Sequence, residues 1–91
     1  MSEVSRTVRI TNRRGLHARA SAKFVTLASA QPVELHVAKD GSGEVTGTSI
    51  MGLMMLGAAM GDEITIRAVG DGADQAVANL CELVEAKFGE D

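Results

Sequence analysis

Along this chain the hydrophobic positions switch between a period of two and a period of three to four, and each switch marks an element. Val4, Val8 and Ile10 share one face with Arg6 while Thr7, Arg9 and Thr11 take the other, which predicts a half-buried strand. Asn12 to Gly15 is a turn. From about Ala18 to Ala30 the apolar residues Ala20, Phe24, Leu27 and Ala28 recur at helical spacing, and Pro32 ends that helix. Val33, Leu35 and Val37 then alternate with Glu34, His36 and Ala38 as a second strand. Lys39 to Gly43 carries the Asp40-Gly41 hairpin signal, and Glu44 to Thr46 form a short third strand. Ser49 followed by Ile50, Leu53 and Met54 reads as a short helix with a serine cap. After the turn at Gly61 to Glu63, Ile64, Ile66 and Ala68 alternate with Thr65, Arg67 and Val69, a fourth strand. Beyond Gly70-Asp71-Gly72, the residues Ala73, Ala76, Val77, Leu80, Val84 and Phe88 predict the core stripe of a long final helix.

The order βαββαβα predicts an α+β two-layer open-faced sandwich, with three helices on one face of a four-stranded, mainly antiparallel sheet. A length of 91 residues suits a single domain over residues 1–91, with no internal repeat or linker. Phe24 and Phe88 are the only aromatic residues, so the core must be aliphatic and rich in alanine. Cys81, the single cysteine, has no partner for a disulfide and reads as a small apolar residue of the last helix. The polar start Met1-Ser2-Glu3-Val4-Ser5-Arg6 has no apolar signal segment behind it. The longest apolar run, Ile50 to Met60, is interrupted by Gly52 and Gly57 and falls short of the ~20 residues of a membrane helix. A cytoplasmic protein without membrane insertion is expected.

Charge is placed unevenly. Between Val4 and Val33 stand Arg6, Arg9, Arg13, Arg14, Arg19 and Lys23 with no Asp or Glu, although the whole chain is net −3. His17 lies inside this positive stretch, at the joint between the first strand and the first helix. The first amides of a helix have no partner within it and carry partial positive charge. No Ser, Thr, Asp or Asn stands at Leu16 or His17 to cap them, so an anion is expected to take them. An imidazole beside Arg19 at such an entrance suits phosphoryl transfer, because neutral imidazole is nucleophilic near pH 7 and a guanidinium is a forked phosphate donor. A solvated surface histidine among solvated arginines is the competing reading. The short middle helix is too apolar for one face to bury: Ile50, Met51, Leu53, Met54 and Met55 predict an exposed, adaptable docking patch, against the alternative that all of them fill an aromatic-poor core.

Gly15-Leu16-His17-Ala18-Arg19 with Ala22 and Phe24, followed by Ser49-Ile50-Met51-Gly52-Leu53-Met54, resembles HPr, the histidine-containing phosphocarrier family of the phosphoenolpyruvate-dependent phosphotransferase system. The likeness covers nearly the whole chain. It implies that His17 accepts a phosphoryl group on Nδ1 from phosphorylated enzyme I and passes it to a histidine of an enzyme IIA domain, acting as a covalent intermediate and not as an enzyme. It further implies that Arg19 and the amides near Ala18 and Arg19 hold the phosphoryl group, and that Ala18, Ala22, Ile50, Met51 and Met54 contact the partners. Ser49 matches the serine that HPr kinase/phosphorylase modifies in some members; a cap and nothing more is its plainer role. The relay has two possible ends, imported sugar or a regulatory target of the nitrogen-related branch. One departure stands out: Ala20 replaces the proline usual after Arg19, which leaves the helix entrance freer.

His36 is turned away from the core set of its strand and is expected to be solvated, and two distant histidines give no metal site. No cofactor is expected, and the chain is expected to act as a monomer. Besides the carrier, two other classes fit a small α+β domain: a ligand- or partner-binding regulatory module without phosphotransfer, and a nucleic-acid binder using the arginine-rich first third. Net negative charge and the absence of stacking aromatics argue against nucleic acid.

Overall fold

A computed structural model describes residues 2–40 and 43–90. The strands are β1 (Glu3–Arg9), β2 (Leu35–Lys39), β3 (Glu44–Thr46) and β4 (Glu63–Val69), and the helices are α1 (Ala18–Ser29), α2 (Ile50–Met55) and α3 (Ala73–Glu85). They form one four-stranded sheet in the order β1-β4-β2-β3, with every described pairing antiparallel, so the predicted βαββαβα sandwich is observed. The Asp40-Gly41 hairpin expectation lies outside the described residues.

Strand alternation sets the two layers. In β4 the side chains of Ile64, Ile66 and Ala68 are buried while Glu63, Thr65 and Arg67 point outward. Its register places Val8 opposite Ile64 on β1, and Val37 opposite Ile66 on β2. The helices cover that apolar face with Ala20, Phe24 and Ala28 from α1, Leu53 from α2, and Ala76, Val77, Leu80, Cys81 and Val84 from α3. Small residues let helix and sheet approach closely, and a core with this many alanines relies on close packing more than on large rings. On the outer face Arg67 forks onto both oxygens of Glu44 at 2.9 and 2.8 Å and reaches Glu3 at 3.0 Å. The bonds to Arg67 hold the Glu44 carboxyl below its ordinary range.

Several expectations need correction. Arg6 shares the inward parity of Val4 and Val8 yet is exposed, because β1 is an edge strand where a long side chain can reach solvent. Val33 falls outside β2, and Leu27 is only half-buried while Ser21 lies fully inside, donating to the carbonyl of Leu16 at 3.2 Å. His36 is not freely solvated: its Nε2 lies 3.4 Å from Glu34 and its Nδ1 3.7 Å from Glu44.

The largest difference concerns Phe88. It is buried as expected, but α3 stops at Glu85, and Lys87 and Phe88 take left-handed backbone (φ 59° and 55°) in a short turn spanning Lys87–Gly89. Such backbone costs a non-glycine residue roughly 1–2 kcal/mol. Burial of the Phe88 ring and a 2.7 Å hydrogen bond from Lys23 Nζ to the Phe88 carbonyl offset it. The turn folds the end of the chain back toward the first helix.

Candidate functional site

The site begins with Gly15. Its φ of +63° is left-handed, and a Cβ there would come within 2.3 Å of the Ala58 carbonyl oxygen. Only glycine allows this approach, and it lets the Leu16 amide donate to the same Ala58 oxygen at 2.9 Å. The loop before α1 is thereby clamped to the segment after α2. Ile10 and Gly61, together with Ile10 and Asp62, close the same pole with two 2.8 Å backbone bonds. Leu16 is buried, and the next residue is the histidine.

His17 is itself the N-cap of α1. Its backbone is extended (φ −76°, ψ −177°) and its Nδ1 accepts from the Arg19 amide at 3.3 Å. The expectation of an uncapped entrance is therefore corrected: the imidazole occupies the place that a Ser or Asp side chain usually takes. The other ring nitrogen, Nε2, lies 2.9 Å from Oε1 of Glu90. A carboxylate only accepts and an amide only donates, so the two contacts together assign the proton to Nε2 and leave the lone pair on Nδ1.

Glu90 is held in turn. Asn12 Nδ2 donates to Glu90 Oε1 at 3.1 Å and to the Gly15 carbonyl at 2.8 Å, so one buried amide joins the acid to the glycine turn. The hydrogen bond from His17, and after it the one from Asn12, keep the Glu90 carboxyl below the usual glutamate range. Neither residue was read from the sequence as part of the site. Asn12 looked like an ordinary turn residue, and Glu90 is brought to His17 only by the left-handed turn at Lys87 and Phe88.

Arg19 is exposed and lines a polar cleft of about 320 Å³ with Arg13, Arg14 and Glu90. Ala18 is exposed and Ala22 half-buried on α1. On α2, which packs against α1, Ile50 and Met54 are about two-fifths exposed and Met51 more so, with Met55 and Met60 also open to solvent. The predicted surplus of apolar residues on α2 is thus real, since Leu53 alone among its residues is buried. Ser49 caps α2 as expected, its Oγ accepting from the Gly52 amide at 2.9 Å. Cys81 is buried, and burial pushes its thiol up, away from the reactive thiolate. Among the described residues no group of three or more His, Cys, Asp or Glu is arranged to hold a metal ion, and no helix is long and apolar enough to cross a membrane.

The imidazole at the entrance of α1 stands on an open-faced α+β sandwich whose topology is that of small phosphocarrier proteins. The family described as "PTS HPr component phosphorylation site" matches residues 4–86. A phosphocarrier protein NPr from Shewanella violacea is 41% identical, covering 99% of this chain and 98% of its own. A phosphocarrier protein HPr from Neisseria meningitidis is 47% identical, covering 96% and 97%. The crystal structure of HPr from Thermoanaerobacter tengcongensis superposes with a TM-score of 0.87 at 43% identity, covering 100% of this chain and 99% of that one. The chain belongs to the HPr family, the phosphocarrier proteins of the phosphotransferase system, which are carriers and not catalytic enzymes.

Proposed function

We propose that this chain receives a phosphoryl group on Nδ1 of His17 from the phosphohistidine of enzyme I and delivers it to a histidine of an enzyme IIA domain. The observation that carries the reading is the pair of contacts at the ring: Nε2 donates to Glu90 at 2.9 Å while Nδ1 keeps its lone pair at the helix entrance. That lone pair attacks phosphorus as the donor's N–P bond breaks, and the donor imidazole leaves with the electrons of that bond. The proton stays on Nε2 throughout, so the ring becomes cationic, and the Glu90 carboxylate faces the charge that develops. The 3.3 Å bond from the Arg19 amide to Nδ1 is replaced by one to a phosphoryl oxygen, with the amide of Ala18 beside it and the Arg19 guanidinium as a forked donor. Transfer onward to enzyme IIA runs the same exchange in the other direction.

Docking in this reading uses Ala18 and Ala22 of α1 with Ile50, Met51 and Met54 of α2, a patch whose thioethers adapt to more than one partner surface. Ser49 sits at the edge of that patch. A phosphate placed on its Oγ by an HPr kinase/phosphorylase adds about −1.5 to −2 charge at the start of α2, tolerated by the helix and unfavourable for an apolar partner. Such partners place the carrier in the cytoplasm.

The test is nitrogen-15 NMR of the histidine-labelled chain mixed with phosphoenolpyruvate and a bacterial enzyme I. Only His17 should change, at Nδ1, and the change should be absent in His17→Ala; modification of His36, or of neither ring, overturns the reading. Offering the phosphorylated chain to enzyme IIA domains of the sugar and nitrogen-related branches side by side then assigns the branch, by a transfer rate at least ~10-fold higher for one of them, a difference of about 1.4 kcal/mol in barrier.

A further inference from the structure

The cleft beside His17 holds more positive charge than one phosphoryl group needs. Arg13 and Arg14 come from the loop and Arg19 from the second position of α1, and all three line the same space of about 320 Å³. Among the described residues none of the three guanidinium groups forms an ion pair or a side-chain hydrogen bond, whereas Arg9 and Arg67 on the sheet are both paired with glutamates. Among the described residues the only acid on the cleft wall, Glu90, is already committed to His17 and Asn12. Like charges gathered around an open space repel one another, and an anion in that space relieves the repulsion.

Oxygen number and volume say which anion. A planar guanidinium addresses two oxygens of a phosphate at once, so three of them can engage about six. A phosphoryl group on His17 offers only three, and Arg19 with the helix amides suffices for those. A group of four heavy atoms takes roughly the room of four waters, on the order of 120 Å³. The cleft is more than twice that size.

We propose that the Arg13–Arg14–Arg19 cleft is a binding site for a free diphosphate group, that of inorganic pyrophosphate or of a nucleoside diphosphate. The ligand shares Arg19 with the phosphoryl site, so its presence slows phosphoryl acceptance by His17. The competition rests on the carrier reading above; the binding does not.

Isothermal titration of the full chain with sodium pyrophosphate at low salt should give saturable one-to-one binding, weakened at least ~10-fold in the double variant Arg13→Ala, Arg14→Ala and sensitive to added salt. Circular dichroism melting of that variant should match the unaltered chain, since both side chains are exposed and have no partner among the described residues. Orthophosphate should bind clearly more weakly than pyrophosphate. ADP binding more tightly than pyrophosphate identifies a nucleotide as the source, and equal binding identifies the bare diphosphate; both support the site. In phosphoryl transfer from enzyme I, pyrophosphate should slow the unaltered chain and leave the rate of the double variant, relative to its own pyrophosphate-free control, unchanged. The proposal is overturned by the absence of saturable pyrophosphate binding, by equal affinity for orthophosphate, or by undiminished binding in the double variant. Pyrophosphate binding in a chain that enzyme I never phosphorylates would leave the site standing and remove the carrier reading instead.

Discussion

Replacing Gly15 with alanine tests how the histidine is positioned, and Gly57 provides an internal comparison. Both glycines have nearly the same left-handed backbone, φ +63° and +65°. Around Gly57 an added Cβ meets nothing within 4 Å, whereas at Gly15 it comes within 2.3 Å of the Ala58 oxygen and 2.8 Å of the Ala59 Cα. Gly57→Ala therefore bears only the conformational cost, about 1 kcal/mol after the gain from a stiffer unfolded chain. Gly15→Ala bears that cost and must also push the Ala58 carbonyl away, stranding the buried Leu16 amide for a further ~1–3 kcal/mol. We expect a loss of about 3 kcal/mol at Gly15 against about 1 at Gly57. At roughly 4–8 °C per kcal/mol for a domain of this size, melting should fall by about 12–24 °C in the first variant and about 4–8 °C in the second. Circular dichroism melts and urea titrations measure both. Equal losses for the two variants would refute the claim that the Leu16–Ala58 clamp governs this pole. His17 follows Leu16 directly, so Gly15→Ala should also accept phosphoryl groups more slowly at temperatures where it is still folded.

Other perturbations separate the remaining parts. In Glu90→Ala the Nε2 proton loses its acceptor, so nitrogen-15 shifts of His17 should move toward a mixture of tautomers and phosphoryl acceptance should slow several-fold; an unchanged spectrum would sink the assignment. Because the Glu90 carboxyl is held below its ordinary value of 4.5, its contribution is complete above that pH and is lost as pH falls through the lowered value. The difference in melting temperature between the unaltered chain and Glu90→Ala should accordingly be present at neutral pH and vanish as the pH is taken toward 2. Ser49→Ala removes the cap of α2 and should cost about 0.5–2 kcal/mol, measurable by urea titration, while Ser49→Asp should keep the stability and slow transfer from enzyme I. Met51→Glu, at an exposed position, should leave the melting curve in place and raise the apparent KM for enzyme I; an unchanged KM would remove α2 from the docking surface.

What could be read from the sequence was whatever is decided locally. The alternation of Ile64, Ile66 and Ala68 fixed both the strand and its buried face, and Ser49 ahead of an apolar run announced its helix cap. The helical spacing from Ala73 to Val84 was equally plain. The interval of Phe88 continues the same stripe, but the chain reaches that buried place through left-handed backbone that Lys and Phe seldom adopt. His17 was found through its neighbours and its charge surroundings. Its state was not legible, because the proton on Nε2 is set by Glu90, 73 residues further along the chain, and by Asn12, whose burial no local pattern signals. The self-capping ring is illegible for a related reason: histidine is not among the residues whose presence marks a helix start.

The pole that carries His17 is joined from pieces far apart in the chain, with Ile10 bonded to Gly61 and Asp62, Leu16 to Ala58, and Asn12 and His17 to Glu90. Contacts of such long sequence separation form only after the entropy of closing large loops has been overcome. A chain still emerging from the ribosome can make α1 but not the reactive geometry at its entrance until β4 has been added and the turn after α3 has folded back. Phosphoryl acceptance should therefore be the last property acquired during folding, so that only fully folded carriers can draw phosphoryl groups from the relay.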